Sequence, residues 1–362
     1  DPIELRVRNE PAEDPEKKVP FSTRQLVPCM REGARLFGWD KRQPAGSRRE
    51  GNWLVGMGMS AAARLNPLMP SAAKVRLGPN GVLVVRMAMT DPGTGTYTIL
   101  TQIAGEMLGL PPERVRVEMG DTDFPFAAGS GGSFGASSSG SALYVACENL
   151  RQALLKAGDL NPEGATFRDG AVTSGNRTES LTDLAKNGLE ASGEIKPGEM
   201  KQKFSQYSYG AHFAEIGVDA DTGEIRLRRM LGVFTGGRIL NAKTARSQAI
   251  GGMTFGVGAA LMEDAVVDSR YSFFVNHDMA EYHVPVHADI PAIDAVFLPE
   301  LDDKANPLKS KGLGELGICG AGAALANAIH NATGIRIREY PMTLDKVLRG
   351  FEEQEGQAQR RT

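Results

Sequence analysis

The spacing of apolar residues along the chain predicts two blocks of β-strands, at 52–119 and 209–298. In the first block, apolar residues alternate with Lys and Arg on both sides of a Pro-Asn-Gly turn, which predicts a hairpin. In the second block, Glu and Arg alternate with apolar residues, a pattern typical of a half-exposed hairpin. The predicted strands are 52–64, 73–77, 82–86, 115–119, 209–219, 224–231 and 294–298.

Apolar residues three and four positions apart predict helices between and after these strands. The predicted helices are 22–37, 99–108, 142–156, 244–262 and 323–333. Strand blocks joined to helices predict an α+β fold, with two subdomains of mixed β-sheet, helices packed on them, and a ligand in the cleft between them. We expect a connector with one helix at 1–50, a first subdomain at 51–205 and a second subdomain at 206–362.

Composition and charge restrict the classes of function. A net charge of −3 gives no support for a nucleic-acid partner, and no apolar run has the length of a transmembrane segment. The three cysteines are far apart and form no Cys-x-x-Cys pair, which argues against iron–sulfur clusters, structural zinc and a disulfide framework in this chain. His283 and His287 have a zinc-like spacing, but Pro285 breaks the helix that this spacing needs, so no metal ligand is predicted.

The stretch 309–322 is the first candidate functional site, because it holds one carboxylate, Glu315, among glycines and apolar residues. Glycine lets the backbone approach a ligand closely, and a helix is predicted directly afterwards, with its positive dipole end near the carboxylate. A carboxylate buried among such neighbours is a usable proton acceptor near neutral pH. The alternative interpretation is a plain glycine-rich turn with a solvated glutamate.

The second candidate is the Gly/Ser-rich stretch 127–141, which leads into the helix predicted at 142–156. Small side chains, backbone N–H groups and hydroxyls at a helix N-terminus suit a phosphate or another polar ligand. The stretch lacks the Gly-Lys-Ser/Thr of a P-loop. A flexible linker is the alternative, and the flanking strand and helix argue against it.

Together, five blocks in this order resemble the molybdenum-binding subunit of the xanthine oxidase family of molybdenum hydroxylases, over the second half of such a subunit. The blocks are 1–9, 92–98 with Gln102, 129–134, 219–223 taken together with 241–252, and 311–315. The residues of these blocks are most similar to those of bacterial periplasmic aldehyde oxidases, whose subunits carry the Gly-Glu-Leu-Gly-Ile-Cys-Gly-Ala-Gly found here at 314–322. The turn at 234–242 departs from the family pattern, and the first half of a typical subunit, with another cofactor loop, is absent.

The resemblance implies a hydroxylation that uses oxygen from water, converting an aldehyde to a carboxylic acid, with Glu315 as the general base. It also implies a molybdenum-pterin cofactor, as molybdopterin cytosine dinucleotide, in the cleft between the subdomains. A pterin rather than the protein holds the metal in this family, so the lack of protein metal ligands is expected. The implied cofactor-binding residues are Gly93, Thr94, Gly95, Gln102, Gly131, Gly132, Ser133, Phe134, Gln248, Gly312 and Gly314.

The resemblance also implies partner subunits for a small-molecule aldehyde oxidase. They are a chain with the first molybdenum domain, an iron–sulfur subunit with 2Fe–2S clusters and an FAD subunit. The chain starts with Asp-Pro rather than Met and shows no signal peptide, so we expect a processed piece or half of a larger bacterial protein, soluble and either periplasmic or cytoplasmic. Two alternatives remain: a hydroxylase of an aromatic N-heterocycle of the isoquinoline, nicotinate or xanthine type, and a non-catalytic ligand-binding or assembly module.

Overall fold

The computed structural model describes residues 1–359. Its α-helices are Pro2–Arg8 (α1), Leu26–Phe37 (α2), Thr96–Leu108 (α3), Gly135–Ala157 (α4), Leu181–Leu184 (α5), Met200–Lys203 (α6), Ala242–Leu261 (α7), Ala321–Thr333 (α8) and Leu344–Gln359 (α9). Its strands are Arg49–Glu50 (β1), Trp53–Leu65 (β2), Ser71–Leu77 (β3), Leu83–Met87 (β4), Val115–Met119 (β5), Thr166–Arg168 (β6), Ala171–Ser174 (β7), Arg177–Ser180 (β8), Leu189–Ile195 (β9), Tyr207–Asp219 (β10), Ile225–Thr235 (β11), Val267–Asp268 (β12), Phe273–Phe274 (β13) and Ile293–Phe297 (β14). Short 3₁₀ helices occur at Trp39–Lys41, Pro112–Arg114 and His287–Asp289.

The larger sheet has five strands in the order β1-β2-β10-β11-β14. Neighbouring strands are antiparallel except β11 and β14, which are parallel. β2 and β10 pair along their whole length, from Trp53 opposite Asp219 to Leu65 opposite Tyr207. Because β2 belongs to this sheet, the sheet combines strands from both sides of position 205.

Both faces of the larger sheet are covered. Ile216 and Val218 of β10 lie in a core shared with α7 and α8, whereas Tyr209 and Phe213 lie in a core shared with α1 and α2 on the opposite face. β10 is therefore buried on both sides, and the prediction of a half-exposed hairpin is wrong for this strand. The segment 1–50 contains two α-helices where one was predicted, and these helices form a layer on the sheet.

The smaller of the two mixed sheets, called the smaller sheet below, has four strands in the order β5-β4-β3-β9, with β4 and β5 parallel. Two further antiparallel sheets are formed by β6-β7-β8 and by β12-β13. α3 and α4 pack on the smaller sheet around a core that includes Val85, Leu100 and Leu143. Two mixed sheets with packed helices confirm the predicted α+β class. None of the helices within residues 1–359 is both long enough and apolar enough to cross a membrane.

Two glycines in β2 let α8 approach the larger sheet closely. A Cβ atom at Gly56 would lie 2.2 Å from the Ala328 carbonyl oxygen, and one at Gly58 would lie 2.1 Å from the Ala324 carbonyl oxygen. Any side chain at either position would therefore push the helix away. α8 follows directly from the loop that carries Glu315, so this contact also fixes that loop relative to the sheet.

Candidate active site

A cleft of about 300 Å³ lies where loops from the two sheets meet. It is lined by a subset of the predicted site residues, namely Thr94, Gly131, Gly132, Ser133, Gln248, Gly314 and Glu315. The remaining predicted residues are outside the lining: Gly93, Gly95, Gln102, Phe134 and Gly312. The Phe134 ring packs behind the backbone of Gly131 and Gly132. The predicted loops thus converge on one cleft, although not every predicted residue faces it.

Two loops meet at Ser133 and Glu315. Ser133 Oγ accepts a hydrogen bond from the Glu315 backbone N–H at 2.9 Å and donates one to Glu315 Oε2 at 3.2 Å. Ser133 has a φ of +60°, a conformation uncommon outside glycine. Gly312 contacts the same residue, because a Cβ atom there would lie 2.2 Å from the Ser133 carbonyl oxygen. The two loops therefore form one unit that holds Glu315 at the cleft.

Arg64, at the end of β2, is a partner of Glu315 that the sequence did not reveal. Its Nε donates to Glu315 Oε2 at 2.8 Å, and its Nη2 donates to the same oxygen. The Glu315 side chain is 46% exposed, so its carboxylate is not buried among apolar groups. Because 251 positions separate the two residues, no local pattern links them. The only signal in the sequence is a charged residue near the end of an apolar strand.

The two oxygens of the Glu315 carboxylate have different surroundings. Oε2 accepts the hydrogen bonds from Arg64 and Ser133. Within residues 1–359, no donor reaches Oε1. The arrangement orients the carboxylate through one oxygen and leaves the other able to accept a proton.

The loop before α3 is organised by Asp91, another residue that sequence reasoning missed. The backbone N–H groups of Gly93 and Gly95 donate to its Oδ1 at 2.9 and 3.2 Å, and that of Tyr97 donates to Oδ2 at 3.3 Å. Partial burial raises the pKa of Asp91, but these N–H groups outweigh burial and the net effect lowers the pKa. Gly93 and Gly95 therefore direct these donors to Asp91, and Thr94 is the residue of the three that faces the cleft.

Amide side chains approach the cleft at the start of α7. Gln248 lines the cleft, and no group in the described part of the chain hydrogen-bonds its side-chain amide. Gln102 instead accepts a hydrogen bond from Asn241 Nδ2 at 3.0 Å, and Asn241 caps α7 by accepting from the Thr244 N–H. Since Asn241 lines the cleft, Gln102 acts on the site through Asn241 rather than directly.

The lining suits a polar, anionic ligand such as a pterin phosphate. α4 begins at Gly135, next to the cleft, and no side chain caps its first N–H groups. Ser310 Oγ is buried at the cleft and has no hydrogen-bond partner within residues 1–359. Open N–H groups, an orphan hydroxyl and the free Gln248 amide all offer hydrogen bonds to such a ligand. The same part of the chain contains no cluster of three or more His, Cys, Asp or Glu that could hold a metal ion.

His212 supports the loop that carries Glu315 from the sheet beneath it. Its Nε2 lies 2.7 Å from the Gly317 carbonyl oxygen, so this nitrogen carries the proton and donates. The ring is fully buried, and Nδ1 has no partner within residues 1–359. Burial lowers the pKa of His212 from 6.5 to about 4, against a smaller opposing effect of the bond to Gly317. The loop therefore rests on a neutral imidazole.

We predict that His212 makes the protein sensitive to acid. The pKa of His212 is about 4 in the folded protein and 6.5 in the unfolded chain. Its contribution to the free energy of unfolding is therefore fully present above pH 6.5 and is lost as the pH falls towards 4. The loss approaches roughly 3 kcal/mol at the acid end. Urea unfolding between pH 4 and 7 should show that the free energy of unfolding depends less steeply on pH in His212→Gln than in the parent. Equal pH dependence of that free energy in the two proteins would contradict the prediction.

The family model described as "Molybdopterin cofactor-binding domain" matches residues 32–291. The chain belongs to this family. It is 51% identical to the aldehyde oxidoreductase molybdenum-binding subunit PaoC of Escherichia coli (strain K12), over 96% of this chain and 48% of that protein. It is 30% identical to the probable hypoxanthine oxidase XdhD of the same strain, over 93% of this chain and 36% of that protein.

Solved structures show the same fold. The aldehyde oxidoreductase from Desulfovibrio gigas matches with a TM-score of 0.79 and 24% identity, over 97% of this chain and 38% of that chain. The Cu,Mo-CO dehydrogenase matches with a TM-score of 0.85 and 21% identity, over 98% and 49%. These findings confirm the resemblance to molybdenum subunits of the xanthine oxidase family and the binding of a molybdopterin cofactor. The chain spans about half the length of PaoC.

Proposed function

We propose that this chain is the part of a molybdenum hydroxylase that supplies the catalytic glutamate and much of the cofactor site, and that the enzyme oxidises an aldehyde to a carboxylic acid. The observation that carries the proposal is the Glu315 carboxylate at the cleft, in a chain of the molybdopterin cofactor-binding family. The aldehyde is supported by PaoC, an aldehyde oxidoreductase subunit that is 51% identical over 96% of this chain.

In this proposal, Glu315 is the general base. When bound, the molybdenum cofactor supplies the two-electron redox chemistry of the hydroxylation. Glu315 Oε1 accepts the proton that the attacking oxygen group releases, because no donor in residues 1–359 occupies that atom. Arg64 and Ser133 hold Oε2 and keep the carboxylate in one orientation, which limits the motion needed before proton transfer.

We further propose molybdopterin cytosine dinucleotide as the form of the cofactor. A dinucleotide adds phosphate charge, and the uncapped N-terminus of α4 offers N–H groups to an anion at the cleft. Ser310 Oγ and the Gln248 amide offer further hydrogen bonds to it. Mass spectrometry of the nucleotide released on denaturation tests this form, and release of a guanine nucleotide or of none would contradict it.

The proposal is tested first by metal analysis and a substrate screen. The complex isolated with this chain should contain molybdenum and oxidise an aldehyde with incorporation of ¹⁸O from labelled water. Oxidation of an aromatic N-heterocycle in place of the aldehyde would identify the first alternative. Absence of molybdenum together with binding of another nucleotide would identify a non-catalytic module and overturn the proposal.

Turnover also requires electron transfer to partners. We propose that the active enzyme also contains a first molybdenum domain, since PaoC is about twice as long as this chain. From the resemblance to molybdenum hydroxylases, we propose companion subunits with 2Fe–2S clusters and FAD. A segment around the hairpin of β12 and β13 is strongly apolar, and its exposed residues are 44–73% accessible. Its exposed residues are Val266, Val267, Tyr271, Phe273, Phe274, Val275 and Met279.

We predict that residues 1–362 are stable only with the chain that carries the first molybdenum domain. An interface of the obligate kind, on the order of 2,000 Å² or more, should cover apolar surface such as this segment, and without it the chain should aggregate. Light scattering and gel filtration of the chain expressed alone and together with its companions check this. A monodisperse monomer that binds the cofactor by itself would overturn the prediction.

A further inference from the structure

A buried ammonium group lies at the base of the loop that carries Glu315. The Lys311 side chain is 0% exposed. Its Nζ donates to Thr23 Oγ1 at 2.7 Å, to the Tyr207 carbonyl oxygen at 2.8 Å and to Glu300 Oε1 at 2.8 Å. These partners belong to the segment before α2, the start of β10 and the segment after β14, so one side chain joins three distant parts of the chain to the loop.

The same cluster reaches the turn at 236–237. Glu300 Oε2 accepts a hydrogen bond from the Gly237 N–H at 2.6 Å, and the Lys311 backbone N–H donates to the Gly236 carbonyl oxygen at 2.7 Å. One residue further along, the Gly312 N–H donates to Asn66 Oδ1 at 3.0 Å. The backbone of the loop is therefore held at Lys311 and Gly312, shortly before Glu315.

The charges of this cluster depend on one another. Glu300 and Asp302 are buried beside Lys311, with side chains 2% and 0% exposed. Asp302 Oδ2 lies 3.7 Å from Lys311 Nζ and accepts a hydrogen bond from Ser22 Oγ at 2.6 Å. Burying a carboxylate without a cation is costly. Glu300 and Asp302 therefore require the Lys311 ammonium beside them.

We propose that Lys311 is a positioning residue for Glu315, and that Ser22 and Thr23 belong to the support of the site rather than to a connector. Lys311 sets the backbone path of 312–315, while Ser133 holds the carboxylate of Glu315. The catalytic part of this inference rests on the proposed function. The positioning of the loop does not, since it follows from contacts within this chain.

The test compares Lys311→Met with Lys309→Met, in the protein purified with every subunit that accompanies it. Lys309 is a matched control two residues away. It starts the stretch 309–322 but does not line the cleft, and its side chain is half-exposed and paired with Asp303 on the surface. In Lys311→Met we expect amide hydrogen exchange of 312–317 to accelerate at least about tenfold. We expect kcat for the aldehyde to fall about tenfold to a hundredfold with KM changed by less than about twofold. Lys309→Met should match the parent in both.

A double variant keeps the test decisive if Lys311→Met does not fold. Lys311→Met with Glu300→Gln removes the carboxylate that Lys311 hydrogen-bonds, while Asp302 keeps its hydrogen bond from Ser22. This double variant should fold while the loop still exchanges faster than in the parent. Parental exchange of 312–317 in either folded variant would overturn the proposal. If the parent itself oxidises no aldehyde, the proposed function fails, and the exchange measurement still decides whether Lys311 positions the loop.

Discussion

Replacing Glu315 with glutamine should lower aldehyde turnover by at least about a hundredfold, the scale expected when a general base is removed. Glutamine keeps the size of the side chain, and its amide oxygen can still accept from Ser133, but it cannot take up a proton near neutral pH. Molybdenum content should remain at the parental value, because the cleft keeps its shape. Steady-state kinetics with an aldehyde, normalised to molybdenum content, measure the effect.

Glu190→Gln is the matched control for this experiment. Glu190 has a similar exposed fraction, 44%, and also pairs with a basic residue, Lys74, but it lies on β9 of the smaller sheet and does not line the cleft. Loss of a surface ion pair of this kind is worth about 0–1 kcal/mol, so turnover should be unchanged. Parental turnover in Glu315→Gln would refute the assignment of Glu315 as the base.

Gly312→Ala should empty the cofactor site. The new Cβ atom would lie 2.2 Å from the Ser133 carbonyl oxygen, far inside contact distance, so the two loops must move apart. That movement breaks the reciprocal hydrogen bonds between Ser133 and Glu315. Overpacking of this type costs about 1–3 kcal/mol of stability, and we expect molybdenum content to fall about tenfold or more, since 1.4 kcal/mol corresponds to one power of ten in binding.

Gly251→Ala serves as the control for the glycine experiment. A Cβ atom at Gly251 meets nothing within 4 Å, and the residue lies within α7, where alanine favours the helix more than glycine does. Its melting temperature and molybdenum content should equal or slightly exceed those of the parent. If Gly312→Ala binds the cofactor as well as Gly251→Ala does, the close contact of the two loops does not support the site.

Much of the site could be predicted because its signals are local. The glycine and serine loops each precede a helix, and both properties depend on residues adjacent in the sequence. Glu315 and the Gly/Ser loop that contains Ser133 were found in this way, whereas Thr94 was implied only by the resemblance to a known family. The structure brings all three residues to one cleft. The roles of Gly93 and Gly95 were less predictable, since their N–H groups point to Asp91, whose side chain could as well have faced solvent.

Arg64 illustrates what local patterns cannot supply. It meets Glu315 because β2 joins β10 in the larger sheet and because α8 packs against Gly56 and Gly58. The alternation of charges in β10 was misleading for a related reason. Glu215 is 10% exposed and pairs with Arg48 and Arg229, so a polar position that reads as solvent-facing is buried beneath another layer.

The sequence by itself determined the α+β class and the order of the seven strands and five helices that it predicted, because periodicity arises from neighbouring residues. Its resemblance to a known family indicated the cofactor and also pointed to Glu315 as a candidate site residue. Only the tertiary structure decided that β2 joins β10, that the segment 1–50 covers a sheet, and that Glu315 is held by Arg64 and Ser133. Those contacts join residues far apart in the chain. They depend on which apolar faces pack together, and that choice is made by the whole fold rather than by any single stretch of residues.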